Sequence, residues 1–132
     1  MELGDLKTYI KSRLESLVDI DVYEENQYGI SPFPYLVFKI PSGNPVIDIR
    51  IDRVLEIDYW DNSLDSSAVK EAAELVKKGV YVDGELTIPG FDYTYQCEAE
   101  GFYRSYLEFE GEIPDTEQNI YRINQRYILI VR

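Results

Sequence analysis

The sequence predicts a single α+β domain over residues 1–132. It combines a mostly antiparallel sheet of five to six strands, two helices packed on one face, and a protruding β-hairpin arm. Three observations predict this. Two segments repeat apolar residues at the helical period. Much of the rest alternates apolar and polar with period two, between breaks rich in Gly, Pro and Asn. The stretch Arg53–Lys78 joins both patterns: R-V-L-E-I-D-Y-W-D alternates, and Val69, Ala72, Ala73 and Val76 then recur at helical spacing.

Taken in order, Asp5 can cap a first helix whose stripe is Leu6, Ile10, Leu14 and Leu17, with Lys7, Lys11 and Arg13 on its outer side. It should end near Ser16–Val18. Ile20–Tyr23 alternates as a short strand, and Glu24–Pro34, with Gly29, Pro32 and Pro34, reads as a loop. Tyr35–Ile40 is a β-rich run that Pro41–Pro45 turns. From Val46 the odd positions Ile47, Ile49, Ile51, Leu55, Ile57 and Tyr59 are apolar, with Arg53 the one polar exception. That parity predicts one long strand, bent near Asp52-Arg53 and hairpinned onto Tyr35–Ile40, whose early half reaches past the body as an arm.

Asp61–Asp65 turns into the second helix, with Asp65 or Ser66 as N-cap, Lys77 and Lys78 opposing the dipole, and Gly79 at C′. Val80–Ile88 reads as a strand pair, or a strand interrupted at Asp83-Gly84. After Pro89-Gly90 the odd positions from Phe91 to Phe109 are largely apolar, with Gly101 marking a bulge or turn between two strands. Ile120–Val131 is the last strand. Its Y-I-L-I-V end is apolar on both faces, which places it centrally in the sheet.

Composition narrows the function. A chain of 132 residues suits one domain burying roughly two thirds of its unfolded surface. A net charge of −12 disfavours nucleic-acid binding through a basic face and association with anionic membranes. No run of about eighteen apolar residues suggests a membrane span. Histidine is absent, which removes the commonest general base and transition-metal ligand, and Cys97 alone forms no internal disulfide. With no signal-peptide pattern at the start, a reducing cytoplasm is the expected compartment.

Candidate chemistry is sparse. Ser63, Ser66 and Ser67 have no histidine partner, and the glycines are dispersed rather than gathered in a phosphate loop. Asp58, Asp61 and Asp65 could approach one another, but they lack the glycine and closing glutamate of a calcium loop; a solvated turn with a helix cap explains them. Catalytic, cofactor and metal residues are therefore expected to be none. Glu98, Glu100, Glu108, Glu110 and Glu112 form an acidic ladder, read as a solvent face of the sheet. Trp60 either folds over the helix or is a contact residue. Arg122 and Arg126 share the even face of the last strand; they either pair across strands with the glutamate ladder or form an intersubunit salt bridge.

Two stretches resemble a known family. Pro34-Tyr35-Leu36-Val37-Phe38, then Leu55–Asn62 (L-E-I-D-Y-W-D-N) and a helix after a Ser-rich turn, resembles the tail terminator and head–tail joining (tail completion) proteins of long-tailed bacteriophages and prophages. Pro114-Asp115, Gln118–Arg122 and the closing Gln125-Arg126-Tyr127 are similar as well, and the order of elements agrees. The segment Phe91–Phe102 is longer and richer in tyrosine than the family pattern.

The resemblance implies a structural virion protein and no enzyme. Members form a homo-oligomeric ring, usually a hexamer, at the head-proximal end of the tail, which stops tail-tube growth and joins tail to head. The implied partners are the chain itself, the tail-tube protein, and a head-completion or connector protein. DNA would only pass through the channel, without sequence-specific binding. The expected location is the head–tail junction of the virion, assembled in the bacterial cytoplasm. Expected interface residues are Val46, Asp48, Arg50, Asp52, Trp60, Asp61, Asn62, Arg122 and Arg126. Expected acidic lumen residues are Glu98, Glu100, Glu108 and Glu110, since carboxylates repel passing phosphates. Two other readings stay open: an acidic inhibitor or DNA mimic binding a basic partner, and a small-ligand binding module with a deep pocket.

Overall fold

The computed structural model describes residues 3–25, 32–41, 43–47, 50–62, 66–92, 104–115 and 120–131. Helix α1 spans Leu3–Leu17 and α2 spans Ser67–Lys78. The strands are β1 (Asp21–Glu24), β2 (Tyr35–Lys39), β3 (Gly43–Ile47), β4 (Arg50–Asp61), β5 (Gly79–Val82), β6 (Glu85–Pro89), β7 (Arg104–Asp115) and β8 (Ile120–Val131). Six strands form one sheet in the order β1-β2-β4-β8-β7, with β3 also pairing β4; β5 and β6 form a separate hairpin. All pairings are antiparallel except β1 with β2. The α+β architecture is as the sequence predicts.

One face of the sheet carries the core. Leu36 and Phe38 of β2, Leu55, Ile57 and Tyr59 of β4, and Ile123, Tyr127 and Leu129 of β8 lie buried with both helices in one cluster. Leu6, Ile10 and Leu14 of α1 and Val69 and Val76 of α2 are fully buried against them. Leucine-to-alanine changes in such a cluster typically cost about 2–5 kcal/mol. β8 is interior, between β4 and β7, as its apolar end predicts.

Several elements differ from their sequence reading. The long strand from Val46 is two strands. The chain reverses between Ile47 and Arg50, so β3 lies antiparallel on the start of β4. β3 takes up the edge of β4 where β2 leaves it: β2 pairs with Glu56–Trp60, β3 with Arg50–Arg53. The arm is also anchored on its other side, because Ile51–Arg53 pair with Leu129–Val131 of β8. Arg53 is half-buried, and its Nε meets no hydrogen-bond acceptor among the described residues.

Arg13 does not lie on the outer side of α1 but is buried. Its guanidinium donates to the carbonyls of Pro89 and Gly90 and sits 4.4 Å from the centre of the Phe91 ring. Ser66 occupies the N-cap of α2, but in a left-handed conformation (φ 55°) and without the side-chain cap that a serine there suggests. Asp65, Gly101 and Cys97 lie outside the described residues. Asp83 (φ 52°) and Gly84 (φ 82°) make the tight turn of the β5–β6 hairpin, which settles that segment as a strand pair. Gly79 and Gly90 permit the close return of the chain beneath α2. A Cβ on Gly90 would strike the Lys77 carbonyl, and one on Gly79 the Ile88 carbonyl.

Candidate functional site

With both helices on one face, β4 and β8 present their even positions on the other. Register fixes who meets whom there. Glu56 lies opposite Arg126, Asp58 opposite Asn124, and Trp60 opposite Arg122 on one side and Tyr35 on the other. Arg122 donates from Nε (3.1 Å) and Nη2 (2.8 Å) to one carboxylate oxygen of Asp58, and Asn124 donates to the same oxygen at 2.8 Å. Glu56 holds Arg126 through its Oε1 (3.0 Å) and Lys39 through its Oε2 (3.3 Å). Arg122 and Arg126 thus pair with β4 rather than with the glutamate ladder of β7. These groups are partly exposed, so each pair is worth about 1 kcal/mol or less, and their larger effect is to hold the guanidinium groups in place.

Trp60 projects from this face, away from both helices, and is half-buried. The Arg122 guanidinium lies 5.0 Å from its ring centre. Around it a shallow cavity of about 190 Å³ is lined by Glu25, Val37, Lys39, Asp58, Trp60 and Arg122. Asp61 and Asp58 point to opposite faces: Asp61 is buried, and Asn62 follows it in an exposed bend. The two aspartates therefore do not converge, and no cluster of His, Cys, Asp or Glu fit for a metal ion occurs among the described residues.

The acidic ladder does not keep to one face. A bulge in β7 falls between Leu107 and Phe109, so Glu108 is the extra residue. Beyond it the parity reverses. Phe109, opposite Arg126, and Ile113, opposite Arg122, stand exposed on the open face. Glu110 and Glu112 turn to the helix side. Glu110 accepts from Lys77 of α2 (3.1 Å) and from the buried Gln125 of β8 (2.6 Å). Burial alone would lower the Lys77 pKa; hydrogen bonds to Glu74 and Glu110 outweigh it and hold the ammonium above its usual value. Glu74 is in turn lowered, first by its bond from Lys77.

Of the residues expected at an interface, Trp60, Arg122 and Arg126 share the open face. Asp52 lies half-buried further along β4 on the same parity, where it pairs with Ile130. Val46 belongs to β3 and Arg50 opens β4. Asp48, Glu98 and Glu100 lie outside the described residues. The sequence reading missed Lys39, Glu56 and Asn124, which the parities of β2, β4 and β8 would have placed on this face. It also missed Phe109 and Ile113, which the bulge conceals.

No family model and no curated protein matches the chain. Solved structures do match. One match is a chain from the virion of a native gene transfer agent particle, with a TM-score of 0.56 and 16% identity over 93% of this chain and 90% of that one. At that identity the likeness shows a shared fold.

Proposed function

We propose that this chain is a structural subunit of a phage-like virion, and within it a tail terminator. It forms a ring, a hexamer on the family resemblance, at the head-proximal end of the tail. The ring stops tail-tube growth and docks a head-completion or connector protein. The observation that carries the reading is the fold shared, over nearly the whole of both chains, with a component of a gene transfer agent virion. The family resemblance of Pro34–Phe38 and Leu55–Asn62 points the same way. The role is architectural rather than enzymatic, with no cofactor.

The layout suits a ring subunit. One sheet face is closed by two helices, while the other carries exposed apolar side chains beside ordered arginines. The charge of −12 suits a channel that DNA traverses without sticking. Of the described lumen candidates, Glu108 stands exposed on the bulge, whereas Glu110 is engaged by Lys77 and Gln125. Glu108 is therefore the better candidate for facing DNA.

The test is light scattering on size-exclusion fractions, with the chain alone and after addition of the tail-tube protein of the same phage or prophage. The expected result is a ring-sized species capping the tube. A strict monomer at high concentration that also ignores the tube would overturn the reading.

A further inference from the structure

The exposed large apolar side chains among the described residues fall into two groups. Phe109 (51% exposed), Ile113 (53%) and Phe33, which stacks on Tyr35, border the open sheet face. Tyr81 (47%) and Val82 (54%) sit at the end of the β5–β6 hairpin. The hairpin belongs to the helix layer. It leaves the end of α2, its Val80 and Ile88 pack on the core, and Arg13 of α1 holds its base at Pro89, opposite Gly79. The two apolar patches therefore belong to different elements, one to the open face of the sheet and the other to the hairpin tip.

Their charges differ: the hairpin is acidic throughout, whereas the open face carries cations set among its own carboxylates. Gly79–Pro89 contains Asp83 and Glu85 and no cation. The open face concentrates Lys39, Arg122 and Arg126, whose side chains remain 40%, 34% and 42% exposed even while paired to Glu56 and Asp58. Two copies of a chain with a charge of −12 repel over most of their surfaces. They can approach where cations gather and an acidic, apolar element can reach them. Two different patches that match each other make a heterologous contact, the type that closes into rings.

We infer that the β5–β6 hairpin of one copy docks on the open sheet face of the next. Tyr81 and Val82 lie against Phe109 and Ile113, and Asp83 and Glu85 face Arg122 and Arg126. This deepens the ring reading and rests on it for the identity of the partner as a second copy.

The test is self-association measured by sedimentation over a concentration series, up to about 1 mM. Wild type should self-associate. The variant Asp83→Lys with Glu85→Lys should associate at least about tenfold more weakly, and so should Arg122→Glu with Arg126→Glu. Mixing the two variants should restore association, because each then offers a tip matched to the other's face. Phe109→Ser with Ile113→Ser gives a second route, since both side chains are exposed and their loss leaves the core intact; it should also weaken association about tenfold. A wild type that stays monomeric throughout overturns the inference. So does self-association that none of these variants weakens, and that outcome would leave the ring reading standing with its contacts elsewhere. If the charge variants weaken association but their mixture does not restore it, the head-to-tail pairing is overturned.

Discussion

Gln125 is the residue on which the sheet and helices are tied together. It is fully buried. Its Oε1 accepts from the Tyr59 hydroxyl (2.6 Å) and the Tyr127 hydroxyl (3.1 Å), while its Nε2 donates to the Ala73 carbonyl of α2 and to Glu110 of β7. Replacing it by leucine would leave the Tyr59 hydroxyl buried without its acceptor. Gln125→Leu should cost about 3 kcal/mol, read as a lower urea midpoint. The same cluster sets the alkaline limit. Burial, and then the charge of Glu110, raise the Tyr59 pKa well above 10.0; Lys77 is raised above 10.5. Groups with raised folded-state pKa values contribute their full stability below the unfolded value and lose it as pH rises through the folded one. Stability should therefore hold to about pH 10 and decline above it. Tyr59→Phe should soften that decline when urea midpoints at pH 8 and pH 11 are compared. Gln125 itself was not legible as a core residue. A polar letter at an odd position of β8 reads as an exception until Tyr59, Tyr127 and Glu110 are known to converge on it.

At the scale of elements, the β5–β6 hairpin depends on what the rest of the molecule lends it: Val80 and Ile88 pack on the core, and the chain at its base is tied to both helices. An isolated two-stranded sheet is marginal in water. Here Arg13 holds its end through the Pro89 and Gly90 carbonyls. Arg13→Met should keep the helix packed yet loosen the hairpin, seen as faster amide hydrogen exchange over residues 79–89 than in wild type. Gly90→Ala should do more damage, about 2–3 kcal/mol, because the new methyl would meet backbone that cannot swing aside.

The hairpin and both helices were legible, since turn residues and helical spacing are local signals. Three features were not. Arg13 is a charged letter on a helix, and only the position of Gly90, far along the chain, explains its burial. The β3–β4 reversal was hidden because apolar and polar letters go on alternating from Ile47 to Asp52, so no letter marks the point at which the chain turns back. The bulge at Glu108 had the opposite effect. It broke a parity that the letters seemed to continue, and so sent Glu110 and Phe109 to the faces opposite those read from the sequence.

At the scale of the molecule, the sheet divides the chain into a closed side and an open one. The α+β class followed from mixed periodicities, and the open face from the even positions of β4 and β8. What a sequence could not supply was which of its many acids sit alone and which are paired, because that depends on strands brought together from distant segments. Asp58 with Arg122 is such a pair. If the contact between copies depends on charge, the advantage of wild type over the Arg122→Glu with Arg126→Glu variant in self-association should shrink as salt rises from about 50 to 500 mM, since the pairs that distinguish them are screened. The proposed role is that of a virion subunit that ends the tail and joins it to the head. Electron micrographs of particles produced without this chain test it most directly. The predicted result is separate heads and tails, the tails uneven and overlong. Joined particles with tails of normal length would contradict it.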